Sequence, residues 1–159
     1  MNATQTSSLD FLIIDDNPDH REILIEFVKH QATRLGMQVG VSEAADGKEG
    51  LEKYGTRLSS GKPYDVVLTD LNMPNTTGDV VTKTIKGRNP QTLVYVITGG
   101  EATDEYRKLS EKLGTLKPDG VIQKPLHLDI FHELFIEIVA KKASIGYANP
   151  QQIPEAHQS

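Results

Sequence analysis

Cysteine is absent from this 159-residue chain, so no disulfide, zinc-thiolate site or thiol nucleophile can form, a composition that suits a reducing compartment. Long apolar runs are absent too. None approaches the roughly 20 residues needed to span a bilayer, and Met1 to Ser8 is polar, without the charged and apolar regions of a signal peptide. A cytoplasmic location is expected. Basic charge is not in excess: the formal net charge is -5, which argues against a general affinity for nucleic acid or for an anionic membrane and leaves a specific protein partner open. Nor is there an internal repeat, a low-complexity tract, or a closing helical hairpin that could read DNA. No output module is expected beside the main fold.

What remains is the composition of one soluble globular domain, 37% hydrophobic and 25% charged. Between Phe11 and Ala140 short apolar runs alternate with longer amphipathic stretches, the pattern of repeated βα units on a parallel sheet. Phe11 to Ile14 is continuously apolar, as in a central strand covered on both faces. Asn17 and Pro18 then open a helix whose stripe is Ile23, Leu24, Phe27 and Val28, and Gly36 stops it. Met37 to Ala44 reads as an edge strand, and a polar helix follows Asp46-Gly47 and ends near Ser59-Ser60-Gly61. Tyr64 to Thr69 and Leu93 to Ile97 are β-branched strands ending at Asp70 and Thr98. Gly120 to Ile122 is a short fifth strand. Ile130, Phe131, Leu134, Phe135, Ile138 and Val139 form the stripe of a closing helix, whose negative end Lys141-Lys142 complements. Residues 1–8 and 144–159 read as flexible termini around a domain at 9–143.

In an open parallel α/β sheet, ligands bind at the carboxyl ends of the strands. The residues placed there are Asp15 and Asp16, Asp70, Thr98 with Gly99 and Gly100, and Lys124 with Pro125. Singly each has an ordinary reading: acids before a helix complement its positive end, a Thr can end a strand, and Lys-Pro can be a solvated turn. Together they put three carboxylates a few Å apart, and a pair at about 4 Å already repels by roughly 4 kcal/mol at an effective dielectric near 20. A divalent, oxygen-preferring cation answers this, and Mg²⁺ suits so few carboxylates better than Ca²⁺, whose 12-residue loop pattern is missing. With Lys124 and Thr98 on the remaining phosphoryl oxygens, the chemistry is phosphoryl transfer to Asp70.

The runs Ile13-Ile14-Asp15-Asp16-Asn17, Asp70-Leu71-Asn72-Met73-Pro74 with Gly78, Thr98-Gly99 and Lys124-Pro125 resemble the receiver domain of two-component response regulators, over roughly Leu9 to Ala140. The nearest pattern is the single-domain, chemotaxis-type form. The resemblance implies a flavodoxin-like, doubly wound (βα)5 fold with strand order 2-1-3-4-5. It implies Asp70 as phosphoacceptor and metal ligand, Asp16 as a direct Mg²⁺ ligand, Asp15 as a ligand through water, and Asn72 as a ligand through its backbone carbonyl. Lys124 would pair with Asp70, and Thr98 would move toward the phosphoryl group. Gly78 would permit the turn after the phosphorylation loop, and the peptide before Pro125 would be cis. A sensor histidine kinase or phosphotransfer protein would supply the phosphoryl group, and a downstream protein would read it, with no role for nucleic acid or membrane.

The chain departs from that pattern where many receivers carry a switch aromatic: Val121 stands three residues before Lys124. Gln31 to Gln38, Thr56 to Pro63 and the stretch from Thr98 to Lys124 are long, so the helices and loops around them should be extended. Asn72 and Gly100 flank the phosphoryl site, and the missing side chain of Gly100 implies a path for water and a short-lived phosphorylated state. The five histidines lack metal-ligand spacing and receive no role. Ile25 and Ile136 lie outside the main stripes and are candidates for partner contact. Two rivals remain open: an Asp-nucleophile phosphohydrolase, against which Asn72 stands where such an enzyme carries an acid, and a binding scaffold that ignores phosphorylation.

Overall fold

The computed structural model describes residues 8–148, so the expectations for residues 1–7 and 149–159 lie outside the described residues. Five βα units follow in order: β1 Ser8–Ile14, α1 Pro18–Arg34, β2 Gln38–Ala44, α2 Gly47–Ser59, β3 Val66–Asp70, α3 Gly78–Arg88, β4 Leu93–Thr98, α4 Ala102–Leu113, β5 Gly120–Gln123 and α5 Leu128–Ala148, with a 3₁₀ turn at Gly114–Leu116. The strands form one sheet in the order β2-β1-β3-β4-β5, and the pairs are parallel. This is the flavodoxin-like, doubly wound arrangement.

Alternation along the central strands explains why both faces are covered. Side chains of β1 point alternately to the two sides: Phe11 and Ile13 join Leu24, Val28 and Ala32 of α1 and Phe131, Phe135 and Ile138 of α5. Leu12 and Ile14 join Tyr54 of α2 and Val81 and Ile85 of α3. A strand with two buried faces has no polar positions to alternate, hence the continuous apolar runs.

The helix boundaries follow local chemistry. Asn17 Oδ1 accepts the N–H groups of Asp19 and His20, with Pro18 in the first turn of α1. Gly36, at φ 65°, closes that helix in the left-handed conformation. Asp46 accepts from Glu49 N–H while Glu49 reaches back to Ala45 N–H, both at 2.7 Å, a reciprocal cap that resembles a capping box with its return bond one residue earlier.

Several stripe assignments differ from expectation. The buried line of α1 is Leu24, Val28, Gln31 and Ala32, which leaves Ile23 41% exposed and brings Ile25 against the core. Ile130 and Ile136 lie on opposite flanks of the buried face of α5, 53% and 44% exposed. Gln31, fully buried, sits 2.6 Å from His132 Nδ1 and ties α1 to α5. The expected boundary at 143 falls inside α5, which continues to Ala148. Lys141-Lys142 is therefore interior to the helix: Lys141 pairs with Glu137 at 3.3 Å and Lys142 Nζ donates to Gln91 O at 3.2 Å. The last turns of α1 and α2 take up the long stretches near Gln31 and Thr56, and α4 with its 3₁₀ turn takes up the one before Lys124.

The amino edge of the sheet is closed by a buried polar network. Lys86 Nζ donates to Pro90 O at 2.9 Å, Thr92 O at 3.0 Å and Asp119 Oδ2 at 2.9 Å, and that same Asp119 oxygen accepts Val94 N–H at 2.8 Å. Thr92 Oγ1 in turn bonds the Tyr54 hydroxyl at 2.6 Å and Tyr64 O at 2.9 Å. Removing one partner of a largely buried pair leaves the others desolvated and unmatched. Lys86→Met should therefore lower the unfolding free energy by about 2–4 kcal/mol, read as a drop in the urea midpoint at unchanged slope.

Candidate functional site

The strand register brings the candidate residues to one edge. Ile14 pairs with Thr69, so the next residues along, Asp15 and Asp70, end adjacent strands. Asp70 pairs with Ile97, and Thr98 pairs with Gln123, directly before Lys124. Oxygens of Asp15, Asp16 and Asp70 lie within 4.8 Å of one another. Lys124 Nζ is 3.2 Å from Asp70 Oδ1. Thr98 is buried and its Oγ1 accepts Gly100 N–H at 3.0 Å. Asn72 is exposed in the loop after β3, and the Lys124–Pro125 peptide is cis.

Gly78 is required here for space and not for a left-handed turn. A Cβ on it would stand 2.4 Å from the carbonyl oxygen of Asp70 and 2.8 Å from Leu71 Cα, both backbone atoms that cannot yield without moving the loop after β3. Its own N–H donates to Leu71 O at 2.8 Å. The left-handed residue of that loop is Asn75, at φ 68°, a conformation Asn tolerates well.

Asp15 is 1% exposed. Its Oδ1 accepts Asn17 N–H at 2.9 Å, but its Oδ2 is buried without a hydrogen-bond partner. Burial is the main cause that pushes its carboxyl above the ordinary value. The Asn17 N–H acts the other way, the charge of Asp70 pushes further up, and Lys124 and His20 pull down. An orphaned, buried carboxylate oxygen beside two further carboxylates is a donor set for a hard, oxygen-preferring cation. The acidic pocket therefore fits Mg²⁺, with Asp15, Asp16 and Asp70 as the groups that would hold it.

Two neighbours were not legible as site residues. His20 has no metal-ligand spacing in the sequence, yet its Nδ1 lies 3.6 Å from Asp15 Oδ2 and has no hydrogen-bond partner of its own. Arg21 donates to Asp15 O at 2.7 Å and pairs with Glu43 at 2.9 Å. The available signal was their place in the first turn of α1, which sits over the end of β1. A cleft of about 470 Å³ opens beside the site, lined by Asp15, His20, Ile23, Leu24, Lys124 and Leu126 among others.

Residues 11–135 match the family described as the response regulator receiver domain. The sensor protein EvgS of Escherichia coli is 32% identical over 134 residues, 82% of this chain but 10% of that protein. The response regulator protein PilR of Pseudomonas aeruginosa is 32% identical over 125 residues, 77% of this chain and 24% of that protein. The chain thus spans about a tenth to a quarter of the length of these curated relatives. Among solved structures, a receiver domain protein from Clostridium thermocellum superposes with a TM-score of 0.68 at 20% identity, covering 89% of this chain and 99% of that one. The chemotaxis protein CheY4 of Vibrio cholerae superposes with a TM-score of 0.62 at 22% identity, covering 83% and 99%. Both likenesses show the fold.

Because the native carboxyl of Asp15 titrates above its ordinary value near 3.8, the folded chain holds that proton more tightly than the unfolded chain does. The group's contribution to stability is full below that ordinary value and is lost as pH rises through the raised native one. Asp15→Asn should therefore raise the melting temperature in chelator at neutral pH, and the gain should vanish as pH falls toward 3.8, measured by calorimetry across pH.

Proposed function

Because the chain belongs to the response regulator receiver domain family, a family of signalling domains, we propose that it accepts a phosphoryl group on Asp70 from a sensor histidine kinase or phosphotransfer protein. The modification then signals through phosphorylation-dependent binding to a downstream protein. The observation that carries this reading is the convergence of three carboxylates within 4.8 Å with Lys124 3.2 Å from Asp70. Ordinary structural acids have no reason to crowd at a buried edge where one of them is left unsatisfied.

In the step, an Asp70 oxygen attacks phosphorus as the bond from phosphorus to the donor's imidazole nitrogen breaks, and the imidazole leaves with the electron pair. Bound Mg²⁺ supplies neutralisation of the carboxylates and of the phosphoryl oxygens. Lys124 offers its ammonium to the phosphoryl group from its position beside Asp70. Thr98 exchanges its bond from Gly100 N–H for one to a phosphoryl oxygen, which draws the loop after β4 inward and biases its equilibrium. The cleft beside α1, lined by Ile23, Asp15 and Lys124, offers a donor protein a docking place next to the site. Val121, half-buried on β5, leaves the readout to Thr98 and the α4 side without an aromatic rotamer at that position. The reaction takes place in the cytoplasm in this reading, and no helix among the described residues is long and apolar enough to cross a membrane.

Incubation with Mg²⁺ and acetyl phosphate should add one base-labile acyl phosphate to the wild-type chain, seen as an 80 Da increment by mass spectrometry on the order expected for one phosphoryl group. Chelator should abolish it. An unlabelled wild type, or undiminished labelling in Asp70→Ala, would overturn the reading.

A further inference from the structure

The first turn of α4 carries an acid with no structural task. Glu101 already caps the helix, its side-chain oxygens accepting Thr103 N–H at 3.1 Å and Asp104 N–H at 2.8 Å. Asp104 is engaged by Arg107 at 2.8 Å and Lys108 at 3.2 Å. Glu105 is half-buried, and among the described residues no hydrogen bond or ion pair engages its carboxylate. Its carboxylate lies over Gly100, two residues after Thr98. A Cβ on Gly100 would stand 3.0 Å from Glu105 Oε1 and 3.5 Å from Thr98 Oγ1, so the free carboxylate and the buried hydroxyl flank one small volume. On its other side Glu105 lines a cleft with Leu71 and Asn72, the two residues after Asp70. The opening over Gly100 is thus filled from α4, by a group able to take a proton.

We propose that Glu105 orients and deprotonates the water that hydrolyses the aspartyl phosphate, and so sets how long the phosphorylated state lasts. The proposal rests on Asp70 being the phosphoacceptor. The water oxygen forms a bond to phosphorus as the bond from phosphorus to the Asp70 oxygen breaks; the water's proton passes to Glu105, Asp70 returns as a carboxylate, and inorganic phosphate leaves. Lys124, beside Asp70, meets the charge that returns to the leaving carboxylate. The lack of a side chain at Gly100 serves the same step, because any larger residue would occupy the place of the Glu105 oxygen.

The test loads the whole chain from acetyl phosphate with Mg²⁺, removes the donor, and follows decay of the acyl phosphate on phosphate-affinity gels. Wild type, Glu105→Gln, Glu105→Ala and Gly100→Ala are compared after a check that their melting temperatures agree. All four should take label. Decay should slow roughly tenfold to a hundredfold in both Glu105 variants, at or below the usual range for a positioned base, and added formate should restore the rate in Glu105→Ala. Gly100→Ala should also slow decay, since its methyl needs only the flexible end of Glu105 to move. Decay within about twofold of wild type in Glu105→Gln, or no effect of formate on Glu105→Ala, would overturn the proposal while leaving phosphoacceptance intact. A wild type that takes no label would instead remove the reading beneath it.

Discussion

Mutual repulsion among three carboxylates is the constraint around which the functional edge is arranged. Asp15, Asp16 and Asp70 bring oxygens within 4.8 Å, and at such separations like charges cost several kcal/mol unless something of opposite sign answers them, about 4 kcal/mol for a pair at 4 Å and an effective dielectric near 20. Lys124 answers part of this. The cost is maintained by the frame: Asp70 ends β3 and Asp15 directly follows β1, strands whose apolar runs are locked between two layers of helices, so neither can swing away without unpacking the core, while Asp16 is exposed on the turn that follows. Gly78 adds to that confinement, since its backbone lies close against the backbone of Asp70 and Leu71 and leaves no room for a side chain.

Much of this is legible in the amino-acid sequence. A run such as Phe11 to Ile14, apolar at every position, declares burial on both faces, and the parallel connection then forces the ends of neighbouring strands to one edge. Asp15, Asp70 and Thr98 stand out by that rule because each directly follows or ends such a run, and Lys124 because it directly follows the short fifth strand. A weaker periodicity marks burial less sharply. Ile23 and Ile130 have the right spacing for a buried stripe, but a helix resting on a twisted sheet buries a narrow line, and one step of 100° separates Ile23 from Leu24.

What escaped the sequence depends on side chains meeting across elements. Nothing in the spacing of Glu105 and Gly100 says that one fills the space the other leaves, and nothing local distinguishes His20 or His132 from the exposed histidines. The end of α5 was missed for another reason: Gly146 and the polar residues after it resemble a terminus, while Ile145 still packs against the α1 and α5 layer and carries the helix onward.

The two edges of the sheet treat charge in opposite ways. At the amino edge the ammonium of Lys86 has three protein oxygens around it and is complete within the chain. At the carboxyl edge Asp15 keeps a buried oxygen without a partner. Substitution at the first edge can only loosen the fold, whereas substitution at the second can tighten it. Variants of this chain ranked by thermal resilience alone would therefore drift toward silence, losing Asp15 long before they disturbed Lys86.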